Sequence, residues 1–105
     1  MKIYISGPMT GTGDIEKRFE EAEKELRTRF TDAEIVNPMH MAVYGGLLTH
    51  EEFMEIDLIM LRSCQMIYML SGWKKSLGAN RELGYAQGKE KIVLYQEDMR
   101  GERDE

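Results

Sequence analysis

Apolar positions along the chain alternate between short continuous runs and longer stretches with three- and four-residue spacing, the signature of strands interleaved with helices. Lys2 to Ile5 is a short apolar run broken by Ser6-Gly7-Pro8, which predicts a strand and then a turn-rich loop through Gly13. From Asp14 to Phe30 the residues Ile15, Phe19, Ala22, Leu26 and Phe30 recur at helical spacing. The pairs Glu20/Lys24, Glu23/Arg27 and Glu25/Arg29 lie outside that stripe, where i,i+4 neighbours of opposite charge support a helix. Glu34-Ile35-Val36 predicts a brief strand stopped by Asn37-Pro38. Beyond Gly45-Gly46, Thr49 and Glu52 form a capping-box pattern that opens a second helix to about Arg62. Met66 to Leu70 predicts a third strand, Ser71 to Ser76 a loop, Gly78 to Gln87 a third helix closed by Gly88, and Lys91 to Tyr95 a fourth strand.

Such alternation implies right-handed crossovers and a parallel sheet covered by helices on both faces. The expected fold class is α/β, a flavodoxin-like or Rossmann-like three-layer sandwich with four or five parallel strands. Ligands in such sheets bind at the carboxyl ends of the strands, where the strand order reverses. Here those ends are Ser6 to Gly13, Asn37 to Gly46 and Ser71 to Gly78.

Composition narrows what could bind there. A chain of 105 residues, 42% hydrophobic and 31% charged, fits one domain over residues 1–96, with a charged tail over 97–105 expected to be mobile. The net charge of -5 argues against a nucleic-acid polymer as partner, since nonspecific binding needs a basic surface. It leaves a small-molecule ligand open. Cys64 is alone and no Cys/His cluster has metal-site spacing, so neither a disulfide, a metal nor another cofactor is expected, and a reducing cytoplasm is the expected compartment. No apolar run is long enough for a membrane span or a signal peptide.

Three features converge on the predicted ligand edge. The loop Ser6-Gly7-Pro8-Met9-Thr10-Gly11-Thr12-Gly13 precedes a helix, where free N–H groups favour an anion; a tight turn with no ligand fits it as well. Asp57 lies on the apolar stripe of the second helix, Phe53, Ile56, Met60 and Leu61. It must therefore meet a structural donor or a ligand cavity. Glu82 stands beside Ala79, Leu83 and Ala86, about a turn inside a helix that opens with Ser76 and Gly78. It reads either as a glutamate complementing the helix dipole or as a reactive carboxylate. Two carboxylates beside an anion cradle suit glycosyl chemistry, one attacking the sugar carbon and one assisting proton transfer or positioning.

The residues Ile3-Tyr4-Ile5-Ser6-Gly7-Pro8, Asp57 before the third strand, and Ser76-x-Gly-x-x-x-Glu82-Leu83-Gly84-Tyr85-Ala86 resemble the nucleoside 2-deoxyribosyltransferase superfamily, including its 2'-deoxynucleoside 5'-monophosphate N-hydrolase branch. The resemblance covers most of residues 2–95. It implies an enzyme that cleaves or transfers an N-glycosidic bond, with Glu82 as nucleophile at C1', Asp57 holding and activating the reacting groups, and Tyr4 near the nucleophile. Ser6, Gly7, Pro8 and Gly11 of the first loop, with Ser76 and Gly78 at the start of the third helix, are the expected substrate-binding residues. Transferases of free nucleosides carry an aspartate six residues before the nucleophile. Ser76 stands there in this chain, as in the monophosphate hydrolases, where a hydroxyl can donate to a 5'-phosphate. Trp73 is a further binding candidate, able to stack on a base or to serve as a surface or dimer contact. The resemblance and the short chain lead to an expected homodimer or higher homo-oligomer, with Met54, Leu58 and Leu61 as its contact. Two other functions compete: a noncatalytic module that binds a nucleotide or nucleotide-derived signal, and a phosphoribohydrolase of the lysine-decarboxylase-like type, whose Pro-Gly-Gly-x-Gly-Thr sequence is missing.

Overall fold

The computed structural model describes residues 1–9 and 14–101. Four strands, β1 (Lys2–Ser6), β2 (Glu34–Val36), β3 (Met66–Met69) and β4 (Ile92–Tyr95), form one parallel sheet in the order β2-β1-β3-β4. This is the doubly wound arrangement expected from the alternation of elements, with the order reversing between β1 and β3. Helix α1 (Ile15–Arg29) follows β1, α2 (His50–Arg62) precedes β3, and α3 (Leu77–Gly88) joins β3 to β4.

Side-chain alternation along β1 assigns the layers. Ile3 and Ile5, with Met66 and Tyr68 of β3, meet Phe19, Ala22 and Leu26 of α1. Tyr4 of β1, with Ile67 and Met69 of β3, meets Leu61 of α2 and Ala79, Leu83 and Ala86 of α3. All three helices thus present their small or apolar stripes to the sheet, and each fully buried Leu or Phe contributes about 1.5–3 kcal/mol through removal from water. Odd-numbered residues of β1 point to α1 and even-numbered ones to α2 and α3. Tyr4 and Ser6 therefore share the second face.

Local chemistry sets the element ends. Thr49 Oγ1 accepts from the Glu52 N–H at 3.1 Å and Glu52 Oε1 accepts from the Thr49 N–H at 2.8 Å, the reciprocal capping box the sequence predicts. Ser76 caps α3 by accepting from the Ala79 N–H at 3.1 Å, so that helix begins at Leu77. Gly7 answers a packing demand: a Cβ there would approach Leu70 Cβ to 2.8 Å, too close for any other residue without a shift.

Three features differ from the sequence expectation. Two short 3-10 helices, Pro38–Tyr44 and Trp73–Lys75, occupy segments read as loop. The charged stretch after β4 begins with a fourth short helix, α4 (Gln96–Met99), tied down by Gln96 Nε2 and Arg100 to Glu25, so order continues past residue 96 where a mobile tail was expected. Of the α2 residues expected at a subunit contact, Leu61 is buried in the core, whereas Leu58 and Met54 are only partly buried, Leu58 against that core and Met54 on the wall of a cleft. Among the described residues no helix is long and apolar enough to cross a membrane.

Candidate active site

At the carboxyl edge of the sheet, beside the reversal between β1 and β3, lies a cleft of about 880 Å³. Gly7 and Met9 line it after β1, the segment from Pro38 to Gly45 after β2, the first two turns of α2 on one wall, and residues 75–79 with Arg81 and Glu82 on the other. Parallel strands leave such a cleft because crossover connections diverge from the sheet at the switch point.

Glu82 is brought there by the register of α3. Ser76 is the N-cap, so Glu82 is the sixth helical residue, well past the first turn in which a carboxylate complements the dipole. Ala79, Leu83 and Ala86 press the same face of α3 on the sheet, and Glu82 is carried inward with them to 6% exposure. Tyr4 Oη donates to Glu82 Oε2 at 2.7 Å, and Ser6 Oγ donates to Glu82 Oε1 at 2.6 Å. Two residues on one face of β1 thus grip the two oxygens of one carboxylate.

Asp57 faces the same cleft from α2 with 7% exposure. Leu61, one turn further along α2, is wholly buried, so the helix turns Asp57 toward the interior as well. Among the described residues Asp57 accepts no hydrogen bond from another side chain and forms no ion pair. Burial, and then the charge of Glu82, raise its carboxyl to about 7. Burial also raises Glu82, against the opposing effect of the Ser6 and Tyr4 hydroxyls. Tyr4 is pushed well above the ordinary phenol value, by burial first and then by the charge of Glu82. The pair therefore combines an anchored carboxylate with a second carboxyl that holds a proton near neutrality, the pattern that separates nucleophile from acid in glycosyl chemistry.

The other predicted residues divide. Gly7, Ser76 and Gly78 line the cleft with Asp57 and Glu82. Ser6 does not: it is wholly buried and spends its hydroxyl on Glu82. Pro8 lies against Gly72 and Gly11 falls outside the described residues. Trp73 is turned away from the cleft, its ring 5.6 Å from Tyr95 and tilted by 35°, packed against the core on the α3 side. Sequence reasoning missed Arg81 and four methionines, Met9, Met39, Met41 and Met54, all lining the cleft. Arg81 had a signal, since it follows Gly78 by three residues and so shares a helix face with it. Among the described residues no group of three or more His, Cys, Asp or Glu is placed to hold a metal ion.

A family profile described as a domain of unknown function, DUF4406, matches residues 1–95, the span from β1 to the end of β4. The chain belongs to the DUF4406 family. No curated protein matches it. Every element that shapes the cleft of this DUF4406 domain, and both carboxylates, lie within the matched span; α4 lies outside it.

Proposed function

We propose that this DUF4406 domain is a deoxynucleotide N-glycosidase or deoxyribosyltransferase in which Glu82 attacks C1' of a deoxynucleoside 5'-monophosphate. The observation that carries the reading is the carboxylate of Glu82 held by Tyr4 and Ser6 at the floor of a cleft that Asp57 also faces. In the first step one Glu82 oxygen forms a bond to C1' while the C1'–N bond breaks. The base leaves with that electron pair and takes a proton from Asp57. In the second step Asp57, now a carboxylate, takes a proton from water as the water oxygen bonds to C1', and the C1'–O bond to Glu82 breaks. Free base, deoxyribose 5-phosphate and the original carboxylate result. In a transferase a second base attacks C1' in place of water.

The wall formed by α3 fits the phosphate. Ser76 accepts from the Ala79 N–H and keeps its own hydroxyl proton to donate. The first-turn N–H groups of α3, Lys75 and Arg81 add positive character on the same wall. The resemblance to 2'-deoxynucleoside 5'-monophosphate N-hydrolases supports this assignment, and the lone buried Cys64 suits a cytoplasmic setting.

Incubating the purified chain with nucleosides and their 5'-monophosphates, and following free base by chromatography, tests the reading. Release of base from at least one deoxynucleoside monophosphate is expected. Tight nucleotide binding without release would replace the enzyme by a noncatalytic nucleotide-binding module of the same fold; neither binding nor release would remove both.

A further inference from the structure

Two carboxylates that share one desolvated site do not both ionise readily, and the surrounding donors decide which one carries the charge. Here the donors are distributed unequally. Both oxygens of Glu82 accept hydroxyl protons, at 2.6 and 2.7 Å, in the range of short, charge-assisted bonds. Asp57 receives no such donor among the described residues, although it is as deeply buried. Ser6 is the less expected of the two donors. Its side chain is inaccessible, it does not line the cleft, and its hydroxyl is committed to Oε1 of Glu82.

We propose that Ser6 is a positioning residue that, together with Tyr4, keeps Glu82 as the charged member of the pair in one orientation and leaves the proton on Asp57. A single donor would satisfy one oxygen and leave the broad terminal torsion of a glutamate free to turn. Two donors from residues 4 and 6, side by side on one face of β1, fix both oxygens at once. The groups that face Glu82 are Tyr4 and Ser6 from β1 and Asp57 from α2. Farther around the cleft stand His50, Glu51 and Glu55 of α2, Lys75 before α3, and Arg81 on α3. The uneven electrostatics agree with the geometry, since Asp57 responds to the charge of Glu82 whereas hydroxyl donors oppose the effect of burial at Glu82. The inference concerns the same two carboxylates as the proposed reaction, but it holds whether or not a nucleotide is turned over.

The test reads protonation directly. The full chain is labelled with carbon-13 at the side-chain carboxyls of Asp and Glu and titrated by NMR, Glu82 and Asp57 being assigned by the loss of their signals in Glu82→Gln and Asp57→Asn. In wild type Glu82 is expected to titrate below Asp57. In Ser6→Ala the midpoint of Glu82 is expected to rise by about 1 pH unit or more, as a hydrogen bond to a charged group is lost, while that of Asp57 falls. Ser6→Cys, close in size and a weaker donor, is expected to lie between the two, and supplies the comparison if Ser6→Ala does not fold. An unchanged Glu82 midpoint in the variants, or Asp57 titrating first in wild type, would overturn the assignment. Base release enters neither measurement, so failure here and failure of the glycosidase reading are separately visible.

Discussion

Turning a carboxylate inward from a helix is unfavourable unless its neighbours replace the lost water. Glu82 has two hydroxyls for that purpose, and Asp57 meets the same demand by retaining its proton to about pH 7. Ser6, taken at sequence level for a ligand-binding residue, belongs to the first solution. Trp73, read as able to stack on a base or to serve as a surface or dimer contact, belongs to the hydrophobic packing around Tyr95. Glu82→Gln tests the proposed nucleophile. The amide keeps the shape and can still accept one hydroxyl, so urea unfolding should place its stability within about 2 kcal/mol of wild type. Base release in a single-turnover assay should fall by on the order of 1,000-fold or more, because an amide is a poor nucleophile. Turnover at the wild-type rate would remove Glu82 from that role.

At the scale of elements, α3 is opened by a capping residue that also lines the cleft. Ser76 satisfies the Ala79 N–H and stands on the cleft wall, so stability and the proposed phosphate contact can be separated by substitution. Ser76→Ala should cost about 1 kcal/mol by loss of the cap. Ser76→Asp retains a good N-cap and should unfold at nearly the wild-type urea concentration. It adds a negative charge where the phosphate is proposed, so the ratio of kcat/KM for a deoxynucleoside monophosphate over its nucleoside should drop about 10- to 100-fold. An unchanged ratio would show that Ser76 does not face the phosphate. The elements themselves were unevenly legible. The α1 stripe and the Thr49/Glu52 box are local patterns and were read correctly. The two 3-10 helices are too short for a period to register. Helix α4 is four residues long and depends on Glu25, more than seventy positions away, to hold Gln96 and Arg100.

Across the whole molecule the buried pair leaves a mark on stability. The folded state binds a proton at Asp57 up to about pH 7, whereas the unfolded chain releases it near 4. Between these values the native state holds more protons, so stability falls as pH rises and levels off above about 7. Glu82 shifts in the same direction. Glu23 and Glu25 act oppositely: burial works against them, but Arg27 and Asn37 at Glu23 and Arg100 and Gln96 at Glu25 prevail, and both lie below the usual glutamate value. Their contribution is lost only as pH falls below about 4.5. Stability should therefore peak between about pH 4 and 4.5 and decline by on the order of 2–4 kcal/mol by pH 8, as read by urea unfolding at a series of pH values. Asp57→Asn should flatten most of that decline; an equally steep decline in the variant would place its source elsewhere. The amino-acid sequence by itself determined the order of strands and helices, the parallel α/β class and the edge where the cleft lies, because these follow from periodicity, caps and the handedness of crossovers. It also marked Glu82 and Asp57, as carboxylates beside apolar stripes. Only the tertiary structure decided that Tyr4 and Ser6 hold Glu82, that Asp57 lacks such donors, that Trp73 turns away, and that Met54 and Arg81 shape the cleft. Those outcomes depend on which side chains meet across a sheet and two helices, up to 78 positions apart in the chain, and no local pattern records such meetings.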